Sequence, residues 1–263
     1  MSRTIGPAAF VDHLKLSLER PPRSMVIYSA SWSLARALRL APDLVAQELC
    51  SALVREFPST TILMPAFTEG FDDAGLCDLD VRPAITGLIP ETFRKLPHAR
   101  RSRSAFFSFT IVGPERNHLV ALAPTEAWGD GSLYHWFLAA DTKIITIGVH
   151  PTHCSYSHLV EWRHRARVPY RFNKTFCGRL RLEGQEMLWE ETLFVRQREP
   201  SPVNDFTWLL PHLQQAGMKL NTIGDVYVSS IGAAAKMAVM DRMILEDPLA
   251  MIKNKADFRA PAI

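Results

Sequence analysis

Four short apolar runs punctuate the first part of the chain: SMVIYSAS, STTILMPAF, SAFFSFTIVG and TKIITIGV. Each has the length and β-branched content of a strand, and the last is almost continuously apolar, as a strand buried on both faces must be. Helix-patterned segments separate them. Residues 7–20 carry Phe10, Val11, Leu14 and Leu18 at helical spacing, and ERPPRS stops that helix. LARALRLAPDLVAQELCSALVREF reads as helix with a break near Pro42 and Asp43 as N-cap of its second piece. ETFRKLP is a short helix, NHLVALAP helical or mixed, and GSLYHWFLAAD a helix opened by Ser132. Strands alternating with helices restrict the chain to an α/β sheet covered on both faces. Residues 179–198 alternate and turn at Glu183–Gly184, an antiparallel hairpin or flap. NDFTWLLPHLQQAG and VSSIGAAAKMAVMDRMILEDP read as helices, the latter ended by Pro248. TEGFDDAGLCDLDVRPA has no period and reads as an acidic loop. No linker interrupts the pattern. The expectation is one three-layer α/β/α domain over residues 1–263, with a mostly parallel or mixed central sheet plus the hairpin.

Bulk chemistry removes several functional classes. With 47% hydrophobic and 22% charged residues the chain has an ordinary soluble composition. Its net charge of +3, with no stripe of arginines, argues against nucleic acid as a partner. Four scattered cysteines with no CxxC pair argue against a zinc ribbon or a disulfide-stapled domain and fit a reducing cytoplasm. The N-terminus lacks the apolar core of a signal peptide, and no run approaches the roughly 18–20 apolar residues that cross a bilayer. A cytoplasmic protein with no membrane partner is expected. Nothing resembles a coiled coil, so the oligomeric state stays open.

In open α/β sheets, sites gather beyond the strand C-termini. Those ends carry Tyr28-Ser29-Ala30-Ser31, the stretch Pro65 to Glu69, and HCSYSHLVEWRHRARVPYR after the fourth strand. The last stretch holds His153, Cys154, His158, Glu161 and His164. The histidines lie five and six apart, so one helical face cannot present all three to a metal, and no HExxH is present. Cys154 and His158, four apart, form a nucleophile pair on paper, although a lone cysteine is more often a packing residue. With Ser155 as N-cap, His158 falls in the first helical turn and Glu161 lies on the same face. The carboxylate then holds one imidazole nitrogen and leaves the other free as a base. A histidine that only caps and a solvated glutamate fit the same spacing.

The order of motifs around this stretch resembles the aminoglycoside N3-acetyltransferase family. MVIYSASWSLARAL is similar to that family's first strand and His-Ser-Ser-Leu loop, and TILMPAFTEGFD to its Met-Pro-x-Phe-Thr strand end. GLIPETFRKLPHARRSRSAFFSFTIVG resembles its Gly-x-x-x-Glu-x-Phe-Arg, Arg-Ser and Ser-Phe segment. WGDGSLYHWFLAADTKIITIGV resembles its Gly-x-x-Ser-Pro helix and following strand, and CSYSHLVEW its Asn-Thr-Ser-Leu-His-x-x-Glu motif. The likeness covers nearly the whole chain.

The resemblance implies an N-acyltransferase that moves acetyl, or another acyl group, from an acyl-coenzyme A to a small-molecule amine, with no metal. It gives His158 the role of general base and Glu161 that of its orienting partner. Ser29, Ser31, Arg101, Ser102, Ser108 and Ser132 become candidates for the cofactor's phosphates, pantetheine or thioester. Tyr28, Glu69, Asp72 and Asp73 become candidates for the acceptor, since a run of carboxylates that also includes Asp78 and Asp80 would draw a polycation. This chain also departs from the family. Tyr28 stands where the family has histidine, Ala30 where it has the second serine, and Leu133 where proline follows the helix cap. Arg103-Ser104-Ala105 replaces the family's second histidine, and Cys154-Ser155 replaces Asn-Thr. The substrate side is altered more than the His158–Glu161 pair. Two alternatives therefore accompany the aminoglycoside reading: a biosynthetic acyltransferase for another natural-product amine, and a non-catalytic acyl-coenzyme A binder.

Overall fold

The computed structural model describes residues 6–258. In chain order the elements are α1 (Ala8–Ser17), β1 (Ser24–Ser29), α2 (Ser31–Leu38), α3 (Pro42–Glu56), β2 (Thr61–Pro65), β3 (Leu76–Asp78), α4 (Leu88–Arg94), β4 (Arg100–Arg101) and β5 (Phe109–Val112). They continue as α5 (Arg116–Ala121), α6 (Leu133–Ala139), β6 (Thr142–Ile147), α7 (His158–Arg163), β7 (Arg171–Leu182), β8 (Gln185–Arg196), α8 (Leu210–Gln215), β9 (Lys219–Ile223), β10 (Val226–Gly232) and α9 (Ala233–Glu246).

Seven strands form a mixed sheet in the order β4-β5-β2-β1-β6-β10-β9. The three apolar strands β2, β1 and β6 are parallel and central, with Ser24 opposite both Thr61 and Thr142. Strands β5 and β10 flank them antiparallel. Period-2 alternation sorts β1 between two cores. Met25 and Ile27 join Ile62, Met64, Ile145 and Ile147 beneath α1 to α4. Val26 and Tyr28 point the other way, into the core with Leu63, Ile144, Tyr134 and Phe137 of α6 and Met237 of α9. Helices thus cover both faces, as expected, and the same alternation commits Tyr28 to the α6–α9 side.

The hairpin turns at Glu183–Gly184, whose φ values of 54° and 72° are those a tight two-residue turn needs. It is longer than the sequence suggested, because pairing runs from Leu182↔Gln185 back to Arg171↔Arg196. The acidic loop is not wholly irregular. It contains β3, which pairs parallel with β7 and makes a separate three-stranded sheet.

Other local expectations are corrected. The segment read as helix from VSSIG onward is strand β10 up to Gly232, and β9 precedes it. Ser229 tolerates burial there because its Oγ meets Thr146 Oγ1 at 2.5 Å across the ladder. Asp43 does not cap α3, since Pro42 occupies the first position and Ala41 the cap, with Asp43 inside the first turn. Of SAFFSFTIVG only Phe109–Val112 is strand. The buried Glu191 carboxylate accepts from Ser104 Oγ (2.5 Å) and Ala105 N (2.7 Å), pulling residues 104–108 out of line.

At the end of β6, Gly148 turns the chain toward the site with φ +77°. A Cβ there would lie 2.2 Å from Leu34 Cδ1 and 2.9 Å from Ala30 O. Gly148→Ala is expected to cost about 2 kcal/mol, combining a left-handed backbone with overpacking. A urea midpoint equal to that of the parent protein contradicts this.

Candidate active site

A cleft of about 810 Å³ opens beyond the C-terminal ends of β1, β2 and β6. Tyr28 and Ser29 enter it from β1, Pro65 and Phe67 from β2, and His153, Cys154, Ser155 and His158 from the segment after β6. The far wall comes from the hairpin base, Arg171 and Leu193 to Arg196, with Asn204 and Phe206 beyond it.

The segment after β6 makes a 3-10 turn over Ser155–Ser157 before α7 begins at His158. Ser155 therefore does not cap the helix as the spacing suggested. Its Oγ accepts from Tyr134 Oη (2.8 Å) and lies 3.0 Å from Tyr28 Oη. Tyr28 Oη also accepts from the Tyr156 amide (3.3 Å). Tyr134 donates to Ser155, so when Ser155 in turn donates to Tyr28, alongside the Tyr156 amide, the Tyr28 hydroxyl proton is left for the cleft. Burial, and then the neighbouring Tyr134, hold the Tyr28 phenol well above its ordinary pKa, so it stays a donor.

His158 Nδ1 lies 2.6 Å from Glu161 Oε2, one turn on. Glu161 is fully buried, and Arg171 Nε stands 3.0 Å from the same oxygen. The Arg171 side chain is only 6% exposed, against 24% for His158. Burial alone would push the Glu161 carboxyl up, but Arg171 and then His158 hold it below its ordinary value. Burial lowers the His158 pKa, Arg171 and Arg196 lower it further, and Glu161 opposes them. The imidazole is therefore neutral and the carboxylate ionised. An ionised Glu161 requires the proton on Nδ1, although Arg171 Nη2 also approaches that nitrogen at 3.1 Å. The Nε2 lone pair is then free, while Phe206 packs edge-on against the ring at 5.5 Å.

The remaining sequence candidates divide sharply. Ser29 lines the cleft, its Oγ buried and without a hydrogen-bond partner. Ser31 begins α2, whose first turn has no side-chain cap. Arg101 stands outside the cleft wall. It is 5% exposed, and its guanidinium donates to Ser108 Oγ and to the carbonyls of Leu79, Arg82 and Ala66, with burial lowering its pKa to about 10. Ser102 accepts from the Phe109 amide, Ser108 donates to Ala66 O, and Ser132 caps α6 through the His135 amide at 3.1 Å. These four brace the loops behind the site.

Nor do the acidic residues converge on the cleft. Asp72 accepts from the Ala74 and Leu76 amides and pairs with Arg82. Glu69 and Asp73 are exposed and outside the wall. Asp78 pairs with Arg181, and Asp80 accepts from the Glu183 and Gly184 amides, clamping the hairpin turn. The three histidines separate as well. His153 lines the cleft rather than lying apart from it, whereas His164 pairs with Asp241 at 2.9 Å.

Sequence reasoning missed Arg171, Tyr134, Asn204 and Phe206. One signal pointed to Arg171: a glutamate on the inward face of a helix needs a cation, and VPYR follows within ten residues.

The family model described as aminoglycoside 3-N-acetyltransferase matches residues 30–244. Among solved structures, the YokD protein from Bacillus subtilis is 15% identical with a TM-score of 0.71, covering 94% of this chain and 96% of that one. AAC-VIa bound to sisomicin is 22% identical at TM-score 0.72, with 91% and 97% covered. AAC-IIIb in a binary complex with CoASH is 19% identical at TM-score 0.72, with 98% and 99% covered. No curated protein matches the chain. At these identities the solved structures speak for the fold, and the family match carries the assignment: this chain belongs to the aminoglycoside 3-N-acetyltransferase family, and is thereby an N-acyltransferase.

Proposed function

We propose that the whole chain acts as one acyltransferase domain, transferring an acyl group from acyl-coenzyme A to a primary amine with His158 as general base. The observation that carries this reading is the His158 imidazole in the cleft wall, its Nδ1 2.6 Å from the buried Glu161 carboxylate. Sisomicin in AAC-VIa and CoASH in AAC-IIIb supply precedents for an amine acceptor and a coenzyme A donor.

The chemistry requires each part. A protonated amine has no lone pair, so Nε2 of His158 must take its proton as nitrogen attacks the thioester carbonyl. The developing oxyanion needs a donor that is already in place. Tyr28, whose two incoming hydrogen bonds leave its own proton to give, suits that role. Collapse of the tetrahedral adduct breaks the C–S bond, and the departing thiolate takes the proton from His158. Glu161 and Arg171 are positioning residues: Glu161 fixes the tautomer, and Arg171 holds Glu161 ionised. Ser29 and the uncapped first turn of α2 offer donors to the pantetheine or an anionic group.

The direct test is an acyl-coenzyme A screen against mixed primary amines, followed by thiol release and mass spectrometry of the adduct. Turnover with one amine supports the reading. Calorimetric binding of acetyl-coenzyme A without turnover on any amine instead identifies a non-catalytic binder. Tyr28→Phe should lower kcat by about 10²-fold with KM for the donor little changed. Parent-like kcat removes Tyr28 from the oxyanion role.

A further inference from the structure

Resting on that acyl-transfer reading, we propose that the acceptor is a monoamine: its reacting nitrogen sits on an apolar, aromatic or branched body, with no second cationic centre. Polycationic aminoglycosides are then poor acceptors for this member of their family.

The wall chemistry carries the inference. Phe67 and Phe107 meet edge-to-face at 5.1 Å, Trp128 packs on Phe107 at 4.9 Å, and Phe194 and Phe206 close the opposite side. The ionisable side chains in the wall are His153, Cys154, His158, Arg171 and Arg196, with Tyr28 as the phenol. Among the described residues the wall includes no carboxylate. Whichever part of the cleft the pantetheine fills, the remainder gives a second ammonium no counter-charge.

Several nearby carboxylates do not repair this. Glu161 lies behind His158, already paired with Arg171. Asp205, next to Asn204 and Phe206, accepts from the Thr207 amide and hydroxyl, and those bonds, helped by Lys253, hold its pKa down. Glu69 is exposed and outside the wall. The carboxylates of the acidic loop that look suited to a polycation instead bind Arg82, Arg181 and the hairpin-turn amides. The fixed charges in the wall are those of Arg171 and Arg196. Glu161 balances Arg171, while Arg196, beside it at the hairpin base, makes no ion pair among the described residues. Ammonium groups pressed against such a wall lose water and meet like charge. An aromatic body, in contrast, exchanges water for the Phe67–Phe107–Trp128 surface.

The experiment compares phenethylamine with sisomicin as acceptors for the full chain, using acetyl-coenzyme A at fixed pH and ionic strength and reading kcat/KM by thiol release. Phenethylamine is expected to exceed sisomicin by about 100-fold or more. Arg196→Glu, which places a carboxylate at the rim, should narrow that ratio by about 10-fold through improved sisomicin turnover. Equal or better turnover of sisomicin by the parent protein overturns the monoamine proposal and leaves acyl transfer standing. An Arg196→Glu ratio equal to the parent's refutes the electrostatic basis. Turnover of neither acceptor, with acetyl-coenzyme A bound, overturns the monoamine proposal, while the mixed-amine screen decides separately whether acyl transfer stands.

Discussion

His158→Ala is expected to lower kcat by about 10²–10⁴-fold while leaving acetyl-coenzyme A binding intact, the range a positioned general base contributes. The side chain is part-exposed in the cleft wall, so its removal opens space without emptying a core. Calorimetry on the variant separates lost chemistry from lost binding. The pH profile of the parent protein adds an independent check. Because burial, Arg171 and Arg196 lower the His158 pKa, the acidic limb of kcat/KM should fall below the ordinary histidine value of about 6.5. A limb above that value, or near-normal turnover by His158→Ala, assigns the base elsewhere.

Glu161→Ala should damage stability severely. The carboxylate is fully buried against Arg171, and removing one member of a buried ion pair costs about 3–5 kcal/mol because the other charge is stranded. The sign with pH is fixed. The folded-state carboxyl is depressed, so its contribution is complete above the unfolded glutamate value of about 4.3 and disappears as pH falls through the folded value. His158, also depressed, makes the fold lose stability as pH drops below about 6.5. Glu161→Gln keeps the volume and removes the charge. It should flatten the lowest part of the stability-against-pH curve and, without the carboxylate that raises the imidazole, move the acidic limb of activity lower still. Chemical denaturation across pH would expose the error if Glu161→Ala were as stable as the parent.

Local pattern made the central fold legible. The apolar runs that became β1, β2 and β6 were readable because burial on both faces leaves no polar alternation to confuse the period. The turn at Glu183–Gly184 was readable because a glycine with positive φ has few other uses between alternating segments. Strand β10 was not, since Ser229 and Ser230 look solvated until Thr146 and the Ser17 carbonyl supply their partners. At the site, His158 and Glu161 are local in sequence and their pairing followed from helix geometry. Arg171 had only the unmet charge of Glu161 to point to it, and the hairpin that brings its first residue against α7 supplies the contact. Arg101 misled for a related reason: an arginine's chemistry suits phosphate and buried carbonyls equally, and only the fold of residues 66–82 around it decides between them.

The hairpin base gives the enzyme a separable inheritance. The pair proposed to handle the proton sits on α7, whereas Leu193 to Arg196, the proposed acceptor wall, arrive on β8 from a different stretch of chain. The proposed acceptor wall and the proposed base are therefore separable by substitution, provided one position is left alone. Arg171 belongs to both halves: it begins the hairpin opposite Arg196 and it neutralises Glu161. Replacing the hairpin from residue 172 onward should retune acceptor choice, but replacing it from 171 should disable the catalyst, a one-residue boundary between changing what the protein acts on and ending its activity.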